Sequence, residues 1–170
     1  MTSKLKVGIA GYGVVGKRRR IFIDQHPMLE TVVVCDRIFS DEGIFDDGVR
    51  YYSDYQSLLK ENLDLLFVCM PNNMAPDVTI AGLEQGLHVF CEKPPGRDLD
   101  DIARVISCER RNPGLKLKYG FNHRYHDSIR DALQIVKNQT LGPILNMRGV
   151  YGKSKIVTYK NDWRTKRAIA

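Results

Sequence analysis

Short runs of hydrophobic residues alternate with amphipathic stretches along the first two thirds of the chain. Apolar runs at residues 5–10, 31–35, 64–69 and 87–91 have the length of β-strands. The near-continuous run at 64–69 is typical of a strand that is covered on both faces of a sheet. Residues 115–119 alternate between apolar and polar with a period of two, which predicts a more exposed strand.

Helices are predicted between these strands. Their ranges are 14–25, Ser53 or Asp54 to Lys60, Pro76–Gln85 and Leu99–Arg111. Asp98 is a good N-cap for the last of these helices, and Gly86 fits the position after the third. Residues 40–48 are acidic and punctuated by glycine, which predicts a loop with a weak helical turn. The alternation of strand and helix predicts an α/β fold with a doubly wound parallel sheet, the Rossmann arrangement.

The pattern changes after Gly120. One helical face is formed by three apolar residues, Ile129, Leu133 and Val136. Gly142-Pro143 would end this helix, and residues 144–151 predict a strand. We therefore predict a dinucleotide-binding domain over residues 1–121 and the start of a second, α+β domain over residues 122–170.

A glycine-rich turn joins the first predicted strand to the first predicted helix. It carries the pattern G-x-G-x-x-G at Gly11, Gly13 and Gly16. The first glycine permits a sharp turn, the second leaves room for a pyrophosphate, and the third lets helix and strand approach. Asp36 ends the second apolar run, at the spacing of a carboxylate that binds ribose. This context favours a dinucleotide site over an ordinary turn.

The net charge of +6 does not by itself indicate a nucleic-acid surface, because most basic residues are scattered. The exception is Lys17-Arg18-Arg19-Arg20, in the first turns of the helix that follows the glycines. Cations at that end oppose the helix dipole. Two interpretations stay open: the run attracts cofactor phosphates, or it is a solvated helix face.

Other features of the composition exclude several classes of protein. The longest apolar runs are too short to cross a membrane, so we expect no membrane partner. Because most basic residues are scattered, we expect no nucleic-acid partner either. The four cysteines form no C-x-x-C pair, which favours buried free thiols in a reducing cytoplasm over disulfides or a metal site. We therefore expect a cytoplasmic protein without a bound metal.

Taken together, the motifs resemble the Gfo/Idh/MocA oxidoreductase family. The resemblance is carried by the glycine turn, Asp36, Met70-Pro71-Asn72 after one strand and Cys91-Glu92-Lys93-Pro94 after the next. Residues 120–125 and 162–164 resemble two later motifs of the family. The resemblance implies an NAD(P)-dependent dehydrogenase that acts on a CH–OH group of a sugar, a sugar nucleotide or a cyclitol.

The resemblance also implies a role for each residue of these motifs. The cofactor-binding positions would be Gly11, Tyr12, Gly13, Val14, Val15, Gly16, Asp36, Arg37, Met70, Pro71, Asn72, Glu92, Lys93 and Asn122. Lys93 would be catalytic, facing the nicotinamide and a substrate hydroxyl. The substrate-binding positions would be Lys93, Asn122, Trp163 and Arg164.

The residues favour NAD over NADP as the cofactor. Asp36 can accept a hydrogen bond from a ribose 2′-hydroxyl but repels a 2′-phosphate. Arg37, beside it, would partly offset that repulsion by pairing with the phosphate.

The family's later catalytic aspartate and histidine have no counterpart in this sequence. We therefore expect a fragment that is inactive alone, from an enzyme that takes a small-molecule substrate and forms a homo-oligomer. The alternative is a non-catalytic, dinucleotide-binding regulatory protein of the same family. Lys93, kept within its E-K-P sequence, favours the enzyme.

Overall fold

The computed structural model describes residues 3–150 and residue 152. The chain divides into two compact units, and the boundary lies between Gly120 and Phe121.

A single mixed sheet organises the first unit. Its strands are β1 (Leu5–Ala10), β2 (Leu29–Cys35), β3 (Gly43–Ile44), β4 (Arg50–Tyr52), β5 (Leu65–Val68), β6 (His88–Cys91) and β7 (Leu117–Tyr119). Their order across the sheet is β3-β4-β2-β1-β5-β6-β7. All neighbouring pairs are parallel except β3 with β4. The predicted α/β, doubly wound fold is confirmed, with one antiparallel strand added at an edge.

Helices cover both faces of this sheet. They are α1 (Val14–Gln25), α2 (Tyr55–Leu58), α3 (Ala75–Glu84) and α4 (Leu99–Arg111). Side chains of β1 alternate between the faces: Val7 and Ile9 pack with Ile23 of α1, whereas Ala10 packs in the cluster that holds Leu58 of α2 and Val78 of α3. The strands therefore have a core on each side, which explains their near-continuous apolar runs.

Several helix boundaries of the first unit follow from local capping. The Asp54 carboxylate accepts a hydrogen bond from the Ser57 N–H at 2.8 Å, and that of Asp98 accepts one from the Asp101 N–H at 3.0 Å. Gly86, just after α3, has a φ of +80°, the left-handed conformation that ends many helices.

The segment between β2 and α2 corrects the prediction made for residues 40–48. It contains β3 and leads into β4, and no helical turn forms there. β4 pairs with the end of β2, at Val33–Cys35. Strands of two and three residues are too short to show a period of two, so the apolar pattern did not reveal them.

The second unit is helical over much of its described length. A 3₁₀ turn at Asn122–Tyr125 precedes α5 (Asp127–Lys137), which carries the predicted apolar face. The strand predicted at 144–151 is wrong over 144–150, where no strand forms, and Tyr151 lies outside the described residues. The described residues from 121 onward contain no strand with which 144–150 could pair, and a strand needs a partner for its backbone groups. Among the described residues, no helix is long and apolar enough to cross a membrane.

Candidate functional site

Four loops of the first unit begin at the same edge of the sheet. Backbone hydrogen bonds continue the strand pairing by one residue there: Gly11 N–H to Cys35 O at 2.8 Å, Cys69 to Ala10 at 2.7 Å, Glu92 to Val68 at 2.9 Å and Gly120 to Cys91 at 2.9 Å. The loops after β2, β1, β5 and β6 therefore lie side by side. Ligands of open α/β sheets bind at this carboxyl edge.

The glycine turn between β1 and α1 is tight and leaves room at the start of the helix. Gly11 has a φ of +95°, and a Cβ on Gly16 would overlap the Gly11 carbonyl oxygen. Gly13, the N-cap of α1, is exposed, and a Cβ added there would meet no atom within 4 Å. The first N–H groups of α1 point beyond the helix without helical acceptors. The turn thus leaves open space at the positive end of a helix.

Asp36 and Arg37 lie at the end of β2. The Asp36 carboxylate accepts a hydrogen bond from the Ile38 N–H at 3.1 Å, which holds the side chain at the start of the loop, and Arg37 is exposed. Beside this loop is an open cavity of about 690 Å³. Its lining residues include Tyr12, Arg20, Phe39, Phe45, Asp47 and Tyr51.

Two of the four residues in the basic run of α1 contact acidic side chains. Arg19 donates from Nε to Glu92 at 2.6 Å. Arg20 donates to the Tyr12 hydroxyl at 2.9 Å and also contacts Asp47. Arg19 and Arg20 therefore cross-link the first unit. Lys17 and Arg18 are exposed, which agrees with a solvated helix face, and attraction of cofactor phosphates stays a hypothesis.

The loop after β5 supplies a further polar group. Met70, Pro71 and Asn72 are all half-buried there. The side-chain oxygen of Asn73 is buried and has no hydrogen-bond partner. A buried, unpaired acceptor is costly, so this oxygen is suited to a donor from a ligand. Sequence reasoning named Asn72 but missed Asn73.

The loop after β6 carries Glu92 and Lys93. Glu92 is half-buried and Lys93 is exposed, and the Lys93–Pro94 peptide bond is cis. Cys69 follows the neighbouring strand β5 and Cys91 ends β6 itself, and burial raises the pKa of these two thiols to about 12 and about 11. These thiols stay protonated near neutral pH, which leaves them poor nucleophiles.

The structure brings together most of the predicted site residues. Tyr12 lies in the turn, but its ring is buried in the core against Phe39 and Phe45. Val14 and Val15 are exposed at the start of α1. Asn122 belongs to the second unit. Trp163 and Arg164 lie outside the described residues.

Comparison with known proteins places this geometry in context. Residues 5–121 match the model of the Gfo/Idh/MocA oxidoreductase family, described as having an NAD-binding Rossmann fold. The chain is 29% identical to inositol 2-dehydrogenase of Salmonella typhimurium over 163 residues, which is 92% of this chain and 48% of that protein. It is 33% identical to D-xylose 1-dehydrogenase (NADP⁺) 2 of Haloferax volcanii over 146 residues, 83% of this chain and 43% of that protein.

A solved structure gives the same result. Myo-inositol 2-dehydrogenase from Lactobacillus plantarum superposes with a TM-score of 0.71 at 27% identity, covering 84% of this chain and 43% of that one. The chain thus spans less than half the length of each of these three relatives.

Proposed function

The chain belongs to the Gfo/Idh/MocA oxidoreductase family with its NAD-binding Rossmann fold, and from that premise we propose that it is the nucleotide-binding part of an NAD-dependent dehydrogenase. Its substrate would be a CH–OH group of a sugar, sugar nucleotide or cyclitol. One observation carries the proposal: the open glycine turn, Asp36 and Lys93 lie on one edge of one sheet. The named relatives act on inositol and xylose, which supports the substrate class.

Each part of this edge has a task in the proposed reaction. The N–H groups at the start of α1 bind the pyrophosphate. Asp36 accepts a hydrogen bond from the adenosine ribose. The loop after β5 lies between the glycine turn and the Lys93 loop, and there the unpaired oxygen of Asn73 offers an acceptor. When bound, NAD supplies the hydride acceptor.

Lys93 would act on the substrate oxygen. Its Nζ carries a positive charge, which would stabilise negative charge that develops on the oxygen as the hydroxyl proton passes to a separate base, the role that the family resemblance gives to the later histidine. Asn122, Trp163 and Arg164 stay proposed substrate contacts, and the residues from 122 onward would begin the substrate domain. A homo-oligomer and a cytoplasmic location also stay predictions.

The experiment is a pair of measurements on wild type and Lys93→Met. NAD affinity is measured by calorimetry on this chain, and turnover with inositols, pentoses and UDP-sugars is measured on the longest available form of the protein. We expect turnover to fall roughly a hundredfold in the variant, within the range for groups that assist proton transfer. The NAD dissociation constant should change far less.

Lys60→Met is the matched control, because Lys60 is exposed beyond the end of α2. NAD binding without turnover of any compound in the panel would favour the non-catalytic regulatory alternative. Absence of NAD binding by the wild type would refute the proposal.

A further inference from the structure

The contact between Arg19 and Glu92 joins two parts of the proposed site. Nε of Arg19 donates to Oε1 of Glu92 at 2.6 Å, and a second nitrogen of the guanidinium contacts the same oxygen. The guanidinium carbon lies 5.1 Å from the centre of the Phe90 ring, within cation–π range. Arg19 is therefore fixed by a charge pair and by an aromatic face.

The carboxylate of Glu92 is enclosed by this contact. Its side chain is only 14% exposed. Oε2 lies 2.9 Å from the position that a Cβ on Gly120 would take, so the chain passes close over the carboxylate there. The Glu92 and Gly120 N–H groups are both held by neighbouring strands, at Val68 O and Cys91 O. Glu92 is thus the last fixed residue before Lys93.

This enclosure argues against direct contact between Glu92 and a cofactor. One carboxylate oxygen is taken by two guanidinium nitrogens, and the other faces the Gly120 backbone. The pair is also unlike a surface salt bridge, since loss of Arg19 would leave a half-buried carboxylate without its cation.

Arg19 and Glu92 connect two elements of the proposed site. Arg19 lies six residues after Gly13, roughly 9 Å along the helix that begins at the glycine turn. Glu92 directly precedes Lys93 in the chain. The pair therefore couples the helix proposed to hold the pyrophosphate to the loop proposed to meet the nicotinamide.

We propose that Arg19 is a positioning residue, which acts through Glu92 to fix the Lys93 loop where the nicotinamide ring binds. This inference rests on the proposed function. It assigns Glu92 an indirect role in place of the direct cofactor contact implied by the family resemblance.

The test compares two ligands that share the pyrophosphate and both riboses. NAD carries the nicotinamide, and ADP-ribose lacks it. Their dissociation constants are measured on this chain by calorimetry, and the ratio of the two constants reports the nicotinamide end alone. We expect wild type to prefer NAD.

Arg19→Met should reduce that preference about fivefold or more, with little change for ADP-ribose. Glu92→Gln keeps the side-chain shape and should have the same effect. The double variant should be no worse than either single variant, because the two residues act as a unit. Arg19→Lys should restore part of the preference, and Arg18→Met, an exposed neighbour on the same helix, should leave it unchanged.

Amide hydrogen exchange provides a second readout. In Arg19→Met the Glu92 and Gly120 amides should exchange faster, while the Leu66 amide in β5 keeps its protection. Thermal melting checks that each variant is folded. If Arg19→Met does not fold, the measurements on Glu92→Gln test the positioning role instead.

The outcomes separate this inference from the proposed function. If wild type binds neither ligand, the proposed function fails and the inference fails with it. If wild type binds both but Arg19→Met and Glu92→Gln weaken them equally, or not at all, only the positioning role is overturned. Wild type that binds NAD no more tightly than ADP-ribose also overturns it.

Discussion

Arg19 and Arg20 are neighbours on α1, yet they point toward opposite edges of the sheet, Arg19 toward β6 and Arg20 toward β4. Arg19, with Phe90 and Glu92, forms what we call the β6 flank, and Arg20, with Tyr12 and Asp47, forms the β4 flank. Consecutive residues of an α-helix point about 100° apart, so one short basic segment can contact both flanks.

The two flanks differ in what lies next to them. The β6 flank ends on Glu92, one residue before Lys93. The β4 flank ends in an aromatic cluster whose rings lie 4.8 to 6.4 Å apart, under the loop that follows Asp36. Changes in the β6 flank should therefore alter ligand geometry, and changes in the β4 flank should alter stability.

We expect the largest effect, a loss of stability, from a substitution at the start of α1, the helix that both flanks share. In Gly16→Val, the new side chain overlaps the Gly11 carbonyl. We expect a loss of about 3 kcal/mol or more in the free energy of unfolding, at the upper end for overpacking, measured by urea denaturation.

Gly13→Ala is the matched variant in the same turn. Its Cβ would meet no protein atom, so stability should stay within about 1 kcal/mol. NAD affinity should nevertheless fall, because the methyl group enters the space proposed for the pyrophosphate. Equal stability losses in the two variants would contradict this account of the turn.

The next effect concerns the Asp36 loop beside the β4 flank. Asp36→Asn keeps the shape and removes the charge, so the preference for NAD over NADP should fall about tenfold or more, as for a charge-assisted hydrogen bond. Calorimetry with both cofactors measures it. Arg37→Met is the control, expected to weaken NADP alone. Tighter binding of NADP than NAD by wild type would overturn the assignment, and one relative does use NADP by name.

Arg20→Met tests the β4 flank directly. The Arg20 side chain is only 15% exposed and donates to Tyr12, so stability should fall by roughly 1 kcal/mol. The ratio of NAD to ADP-ribose affinity should not change, in contrast to Arg19→Met. A drop in that ratio as large as the one in Arg19→Met would erase the difference between the flanks.

The fold was predictable where each local signal was strong. β1, α1 and α4 have the predicted bounds, because an apolar run, a glycine turn and the Asp98 cap mark their ends. β3 and β4 were not predicted, because strands so short depend on pairing with a neighbouring strand rather than on their own pattern: β4 pairs with β2, and β3 pairs with β4. The same reason explains the error at 144–150, whose apolar residues have no strand partner among the described residues.

The site shows a similar limit. Motif spacing placed the glycine turn, Asp36 and Lys93 at the end of their strands, because strand ends are local features. It could not reveal that Arg19 meets Glu92, 73 residues away, since nothing in a run of four basic residues says which acidic group each will find. Asn73 was missed because burial of its oxygen depends on packing around the loop.

The smallest expected effect is the pH dependence of the β4 flank. A hydrogen bond from the Val49 N–H holds the pKa of Asp47 below its ordinary value of 3.8, with a further contribution from Arg20. A carboxylate with a lowered pKa stabilises the fold above its ordinary range and loses that contribution as the pH falls through the lowered value. Asp47→Asn should therefore lower Tm slightly near pH 7, and its difference from wild type should shrink at about pH 3.

Because Asp47 is exposed, added salt should also reduce the difference near pH 7. The neighbouring exposed Asp46 provides the control, and Asp46→Asn should show no such trend. A Tm difference for Asp47→Asn that is constant with pH would mean that its carboxylate takes no part in holding Arg20 and the β4 flank.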